Sequence, residues 1–429
     1  MRYMKLQNVD RKLYQQLFNG EFGIEKESLR VDARGYLAST SHPMGLSEKI
    51  SRDFSESQVE FISGVYDNLA GACDEICDLQ CMVEAAIYDR PEGREYMWTY
   101  SNPPLYQAEG SVRIAEFEGY KESKTTYREY LAEKYGKVKM LFSGVHLNYS
   151  MPPAFFEMLQ EKVPDKSLKE LKSEWYVRLC DELMEDSWLL VALTAASPVA
   201  DAGFLKGLGV PEEEWNQYAS FRNSKYGYWN LFVPELSYAD FASYLKSMER
   251  YVKKKEIDSI QELYYPIRLK PAGENTFENL KKNGVNHIEL RMLDLNPMCC
   301  SGVARRDLIF IHLLIAYKTA HIIKNWKEQK WERKDKDRIL LHQAAAGFSF
   351  WEKYAQCKTY ACGLIQDMKA FFSSCEKEKN VLFPDDYAVF DVLDFEEAKI
   401  LNPAKRYANQ LLENYKEDYI GARMREILA

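Results

Sequence analysis

Four short segments of this chain alternate polar and apolar residues with a period of two, and their polar positions hold carboxylates, two imidazoles and a guanidinium. Successive strand residues point to opposite faces of a sheet. Gly23-Ile24-Glu25-Lys26-Glu27 therefore puts Glu25 and Glu27 on one face. Gln58-Val59-Glu60-Phe61-Ile62 puts Glu60 opposite Val59 and Phe61. From Ser143 to Ser150, His146, Asn148 and Ser150 share a face, with Val145, Leu147 and Tyr149 behind. From His287 to Met292, His287, Glu289 and Arg291 lie together, backed by Ile288, Leu290 and Met292. A half-exposed strand alternates in the same way, and each segment alone reads as one. The four together predict a sheet whose polar face lines a cavity and whose apolar face is covered by helices.

If Glu25, Glu27, Asp53, Glu60 and Glu289 converge there, their like charges raise one another's pKa unless cations intervene. Magnesium takes oxygen ligands octahedrally and shares them with substrate phosphates. His146 adds an imidazole, which manganese also accepts. Such a site suits phosphoryl transfer, where catalysis is mostly positioning and charge neutralisation. The chain has cations of its own nearby: Arg291, the alternating Arg268 and Lys270, Arg222 in the turn-like Phe221-Arg222-Asn223-Ser224, and Arg128 on a helix ended by Gly136. The planar guanidinium binds phosphate or carboxylate bidentately. Neither a P-loop nor a G-x-G-x-x-G turn occurs, and Gly203 to Gly209 reads as a loop. Metals and arginines would then have to hold a triphosphate. The absence of G-x-S-x-G and H-E-x-x-H removes support for hydrolase and metalloprotease readings.

From Gly20 to about Cys300 strand-like runs alternate with helices, and beyond Ser301 the pattern is helical. That helical part includes a charged stretch from Lys324 to Asp337 and an amphipathic one opening at Asn402-Pro403. The expectation is one α+β domain over residues 1–429, motif-bearing in 1–300 and mainly helical in 301–429. A net charge of −8 without a basic stripe argues against nucleic acid. No run reaches the ~20 apolar residues of a membrane span. Leu308 to Tyr317, which contains His312, reads as a buried helix, and Met1-Arg2-Tyr3-Met4 lacks a signal core. A cytoplasmic protein is expected. The nine cysteines lack zinc-site spacing, and Cys73, Cys77 and Cys81 read as a row of buried, reduced thiols. Nothing in the sequence marks an oligomeric state.

The same segments resemble a known family. Phe22-Gly23-Ile24-Glu25-Lys26-Glu27-Ser28-Leu29-Arg30-Val31 resembles the G-I-E-x-E-x-L-R-V opening of the bacterial glutamate–cysteine ligases. Asp53-Phe54-Ser55-Glu56-Ser57-Gln58-Val59-Glu60 and Ser143-Gly144-Val145-His146-Leu147-Asn148-Tyr149-Ser150 are similar to two further stretches of that family. Thr126 to Glu129, Ser220 to Arg222 with Tyr228, Leu263-Tyr264 with Pro266 to Arg268, and Ile288 to Arg291 with Leu293-Asp294 follow in the family's order.

The resemblance implies a glutamine-synthetase-like fold, with a curved antiparallel sheet forming a funnel-shaped active site, packed by helices. It implies an ADP-forming ligase that uses ATP, L-glutamate and L-cysteine, with magnesium or manganese as cofactor. It implies Glu25, Glu27, Asp53, Glu60, His146 and Glu289 as metal ligands, and Arg291 and Arg128 at the transferring phosphoryl group. Arg222 would hold the glutamate α-carboxylate, with Arg268 and Lys270 on ATP phosphates. Tyr127, Leu131, Met140, Tyr228 and Tyr264 would line the cysteine pocket. Met140 stands where relatives often carry Gln, and Asn102 replaces Met in a W-x-x-S-M-P-like stretch, Trp98 to Pro103. Both departures bear on the acceptor amine. The alternatives are a ligase of this fold with another acceptor, or a metal-binding relative without activity. Some relatives carry a second, ATP-grasp domain, and none is expected within these 429 residues.

Overall fold

The computed structural model describes residues 11–44, 47–119, 122–324, 335–379, 383–384 and 386–428. The expected features at Met1 to Met4, and most of the charged stretch from Lys324 to Asp337, lie outside the described residues. Seven strands form a single antiparallel sheet: β1 (Glu21–Asp32), β2 (Ile50–Arg52), β3 (Gln58–Ile62), β4 (Glu95–Trp98), β5 (Gly144–Ser150), β6 (Ile267–Lys270) and β7 (His287–Asp294). Their order is β2-β3-β1-β5-β7-β6, with β4 also paired to β1. All four alternating segments are strands of this sheet.

The apolar half of the alternation makes the core. Ile24, Val59, Phe61, Leu147, Tyr149, Ile288 and Leu290 are buried in one cluster with the helices behind the sheet. Leu69–Tyr88 packs on β1, β3 and β4, and Leu168–Glu185 packs on β6 and β7. Arg305–Lys324 lies against both of those helices and contains the predicted buried segment, with His312 wholly enclosed. No helix among the described residues is long and apolar enough to cross a membrane.

Two local expectations are corrected. Gly203 to Gly209 is not simply a loop. Ala202–Gly207 is helical because Asp201 caps it, accepting from the Gly203 and Phe204 amides at 2.8 and 3.2 Å, while Phe204 and Leu205 bury their side chains. The thiol row is not uniformly buried either: Cys73 is buried, Cys77 half-buried and Cys81 exposed. A four-residue step on a helix overshoots a full turn by about 40°, so the row drifts from core to solvent.

One irregularity matters to the site. Val145 pairs with Leu293 but Leu147 with Leu290, so His146 alone faces two residues of β7, Arg291 and Met292. Such a bulge re-aims the strand. Gly144 pairs with Asp294 and Asn148 with Glu289, which brings Arg291 and Asp294 to one face despite their odd spacing. Buried Asp294 accepts from the Ala196 amide (2.9 Å), the Ser197 hydroxyl (2.7 Å), the Ser220 hydroxyl (3.0 Å) and the Asn223 amide (3.2 Å). It thereby ties β7 to the turn that carries Arg222. Asn102 supports the same region, donating to the Ser197 and Val199 carbonyls at 3.0 and 2.8 Å. Asp294→Ala takes the acceptor from three buried donors, since Asn223 keeps the Met292 carbonyl at 2.9 Å, and is expected to cost at least about 3 kcal/mol, measured by denaturant unfolding. A loss below about 1 kcal/mol would show that the hub is dispensable.

Candidate active site

Strand register decides which polar residues meet. Glu27 lies directly across from Glu60, Glu25 from His146, Asn148 from Glu289, and Arg268 from Glu289. Asp53 follows β2 immediately, with its amide bonded to the Gln58 carbonyl at 3.1 Å. All six expected metal ligands line one cavity of about 670 Å³, together with Arg128, Arg268, Lys270 and Arg291. Tyr127, Leu131, Met140, Tyr228 and Tyr264 line it too. Arg222 occupies an adjoining recess that shares Tyr228, Tyr264 and Arg291 with the cavity.

The tightest group is Glu25, His146 and Glu289, whose ligand atoms lie within 4.8 Å of one another. His146 Nδ1 is 3.2 Å from Glu25 and 4.0 Å from Glu289, and its Nε2 is 3.6 Å from Glu27. Asn148 donates to Glu25 at 3.0 Å, and the Gly144 amide to Glu27 at 2.9 Å. Burial, with Arg291 beside it, pushes the His146 imidazole down to about 4, so the ring is neutral at physiological pH. Burial and Asp53 push Glu27 up to about 8. Burial with Asp53, Glu25 and Glu27 raises Glu60 well above the usual range. Asp53 is raised by burial, against the pull of Arg128 and Arg291.

Glu25 and Glu289 go the other way. Burial acts to raise both, but the His146 hydrogen bond lowers Glu25. Arg291, Lys270 and Arg268 hold Glu289 well down. Arg291 and Lys270 approach Glu289 at 3.2 and 3.3 Å. His146 Nε2 and Glu289 Oε2 are buried without a hydrogen-bond partner. Hard oxygen donors, one neutral imidazole and unpartnered buried lone pairs fit a divalent cation of the magnesium or manganese type.

The cationic residues differ in what they already hold. Arg128 donates to the carbonyls of Asp53, Arg52 (3.2 Å) and Lys124 (3.0 Å), and its guanidinium lies 4.7 Å from the Phe117 ring centroid. Arg268 donates Nε to the Leu263 carbonyl at 2.7 Å and Nη2 to that of Gln261 at 3.0 Å. Part of each fork therefore braces the cavity wall. Met140 lines the cavity. Asn102 does not line it, because its amide holds Ser197 and Val199, so this departure has no bearing on the pocket surface.

Sequence reasoning did not find Phe54, Ser123, Lys124, Gln261, Glu274, Asn275 and Thr276, which also line the cavity. Most stand in loops or at element ends, where no periodicity marks them. It also missed what Gly144 does. A Cβ there would come 2.3 Å from Arg222 Cζ, so the buried guanidinium rests on a bare backbone. Gly144→Ala is expected to cost about 1–3 kcal/mol by overpacking. That cost is expected to shrink in an Arg222→Ala background, a coupling read by a double-mutant cycle of unfolding free energies. Full additivity would mean that Arg222 moves aside freely.

Comparison with known proteins identifies the family and the fold. The sequence model of the glutamate–cysteine ligase family matches residues 6–259 and 252–339. The chain is 33% identical over 431 residues to the glutathione biosynthesis bifunctional protein GshAB of Listeria monocytogenes, covering 96% of this chain and 54% of that protein. It is 31% identical to the protein of that name from Clostridium perfringens, covering 97% and 54%. The chain thus spans about half the length of these curated relatives. Two solved structures share the fold. One is the glutamate–cysteine ligase of Francisella tularensis in complex with AMP, with a TM-score of 0.79, 21% identity and 96% and 88% coverage. The other is the bifunctional glutathione synthetase of Pasteurella multocida, with a TM-score of 0.77, 23% identity and 97% and 52% coverage. With its sequence matched along most of its length and its fold shared, this chain belongs to the glutamate–cysteine ligase family.

Proposed function

We propose that this chain is an ATP-dependent ligase that joins the γ-carboxylate of L-glutamate to the amine of L-cysteine. The observation that carries this reading is one cavity lined by two sets of side chains of different chemistry. Carboxylates, His146, Arg291 and Lys270 line it together with the aromatic and apolar side chains of Tyr127, Leu131, Met140, Tyr228 and Tyr264. In the proposed reaction a γ-carboxylate oxygen of glutamate attacks the γ-phosphorus of ATP, giving γ-glutamyl phosphate and ADP. The cysteine amine then attacks the acyl carbon, the C–N bond forms, and phosphate leaves.

Glu25, Glu27, Asp53, Glu60, His146 and Glu289 would hold divalent cations, magnesium or manganese. Bound there, such ions neutralise phosphate oxygens during phosphoryl transfer. The residues of the chain do the rest. Arg291, already beside Glu289 at 3.2 Å, and Arg128 supply fixed positive charge for the oxygens of the transferring group. Arg268 and Lys270 complete the phosphate-binding side. Arg222, whose guanidinium lies against Gly144 in the adjoining recess, would take the α-carboxylate of glutamate. Tyr127, Leu131, Met140, Tyr228 and Tyr264 enclose the acceptor and keep water from the acyl phosphate. None of the nine cysteines is in a disulfide, which suits the cytoplasm, where this chemistry would run.

Met140 favours one second reading, the same chemistry with another amine, because an apolar wall discriminates weakly, by ~1–3 kcal/mol per methylene. ADP release from protein supplied with ATP, magnesium, glutamate and single amines decides between them. Cysteine-dependent release with γ-glutamylcysteine as product is the expected outcome. Faster release with another amine would reassign the acceptor, and no release from folded, metal-supplied protein would leave a binding protein without activity. Glu289→Gln is expected to abolish ADP formation and to lower the thermal midpoint while the protein stays folded, since it removes one charge from a cation site and takes a buried partner from Arg291 and Lys270. Normal turnover in that variant would remove Glu289 from the site. Chelation is expected to stop ADP release and lower the thermal midpoint, with both restored by magnesium or manganese.

A further inference from the structure

A buried carboxylate that no step above uses lies behind the acceptor pocket. Glu262 closes the short turn Ile260–Glu262 and has a fully buried side chain. Its Oε1 accepts from the Tyr135 hydroxyl at 2.6 Å and from the Lys134 ammonium. Its Oε2 accepts from the Tyr130 hydroxyl at 3.0 Å and from the Asp258 amide at 2.7 Å. The Glu262 carbonyl takes the Asn230 side-chain amide at 2.8 Å, and Asn230 Oδ1 takes the Tyr264 amide at 2.9 Å. Every acceptor of this residue is thus engaged.

The donors come from the two walls of the pocket. Tyr130, Lys134 and Tyr135 stand on Glu122–Tyr135, the helix that also carries Tyr127, Arg128 and Leu131. The turn that ends in Glu262 runs directly into Leu263, whose carbonyl holds Arg268, and then into Tyr264. Ring contacts continue the link into the cavity. Tyr130 stacks on Tyr127 with centroids 6.2 Å apart, Tyr135 meets Tyr264 edge-on at 5.4 Å, and Tyr264 lies 4.2 Å from Tyr228. Both hydroxyls at the hub belong to tyrosines that touch pocket tyrosines.

We propose that Glu262 is a positioning residue that fixes the spacing of the helix wall and the turn wall of the acceptor pocket, and thereby sets selectivity for the amine. The inference rests on the ligase reading above. Glu262 touches no substrate in it; it acts through Tyr127 and Tyr264. The isosteric Glu262→Gln tests it without changing volume. Whichever way the amide is oriented, its NH₂ faces two donors where an acceptor stood, so the hub loses at least part of its bonding.

The experiment measures steady-state ADP release for the parent, Glu262→Gln and Tyr135→Phe, varying ATP, glutamate, cysteine and competing small amines. Tyr135→Phe removes only one hub hydroxyl, so it serves even where the Gln variant folds poorly. The expected result is a KM for cysteine raised about tenfold in Glu262→Gln and less in Tyr135→Phe. KM for ATP and glutamate and kcat at saturating cysteine stay within about twofold, and discrimination between cysteine and smaller amines narrows. Unchanged KM and selectivity for the amine in both variants overturn the proposal, as does a fall in kcat with no change in acceptor KM, which marks a merely structural residue. Parent protein whose ADP release does not depend on an amine overturns the ligase reading itself, and this proposal with it.

Discussion

Crowding of carboxylates on one face of a sheet is the constraint around which this chain is built. Glu27 stands directly across from Glu60, Asp53 lies close enough to shift both, and Glu25 close enough to shift Glu60. Like charges placed opposite each other weaken a strand pair, and burial makes each charge costlier. A fold that keeps such a row must offset it from outside the row. Arg291 and Lys270 do so for Glu289, and the His146 and Asn148 side chains do so for Glu25. The β7 bulge is part of the same solution, because it turns Arg291 toward the acids without losing Asp294 from that face. The other side of the sheet supplies the driving force: a layer under the helices, apolar except where Lys26 is buried against Gln80, holds the strands in the one register that brings the acids together.

The two sets of side chains that line the cavity have different structural origins. The acids stand on strands, or for Asp53 directly after one, and are fixed by hydrogen-bond register. The aromatic pocket belongs to a helix, a short turn and loops, tied together by side chains such as Glu262 and Asn230. Asp294 and Gly144 join the two systems, one by holding the Arg222 turn and the other by leaving room for its guanidinium. The rigid part suits charge neutralisation, and the side-chain-braced part suits recognition of a small amine.

Much of this was legible in the sequence because strand periodicity is a local signal. Glu25, Glu27, Glu60, His146 and Glu289 were placed on their faces by parity alone, and the structure puts all five in one cavity with Asp53. Gly136 ends the helix that bears Arg128, with φ of +79°, as its sequence position predicted. What escaped was non-local. Gln261, Asn275 and Thr276 have no pattern of their own and reach the cavity only through the path of their loops. The bulge at Arg291–Met292 has no sequence mark, so the alternation read through Met292 could not extend to Asp294. Gly203 to Gly209 misled because glycine weighed more in the reading than Asp201, whose cap bonds carry the helix.

The sheet order has a consequence for how the chain acquires its shape during synthesis. β1, at the start, finds β3, β4 and β5 as they emerge, but β6 has β7 as its only partner strand among the described residues, and β7 is the last strand made. Until β7 leaves the ribosome, β6 is an unpaired segment and β5 an open edge, with His146 and Asn148 paired to β1 but lacking their neighbours on β7. Pairing between such distant segments closes long loops and is slow. A nascent chain halted before residue 287 is therefore a half-sheet with an exposed edge, the form of this protein most open to aggregation and to capture by chaperones.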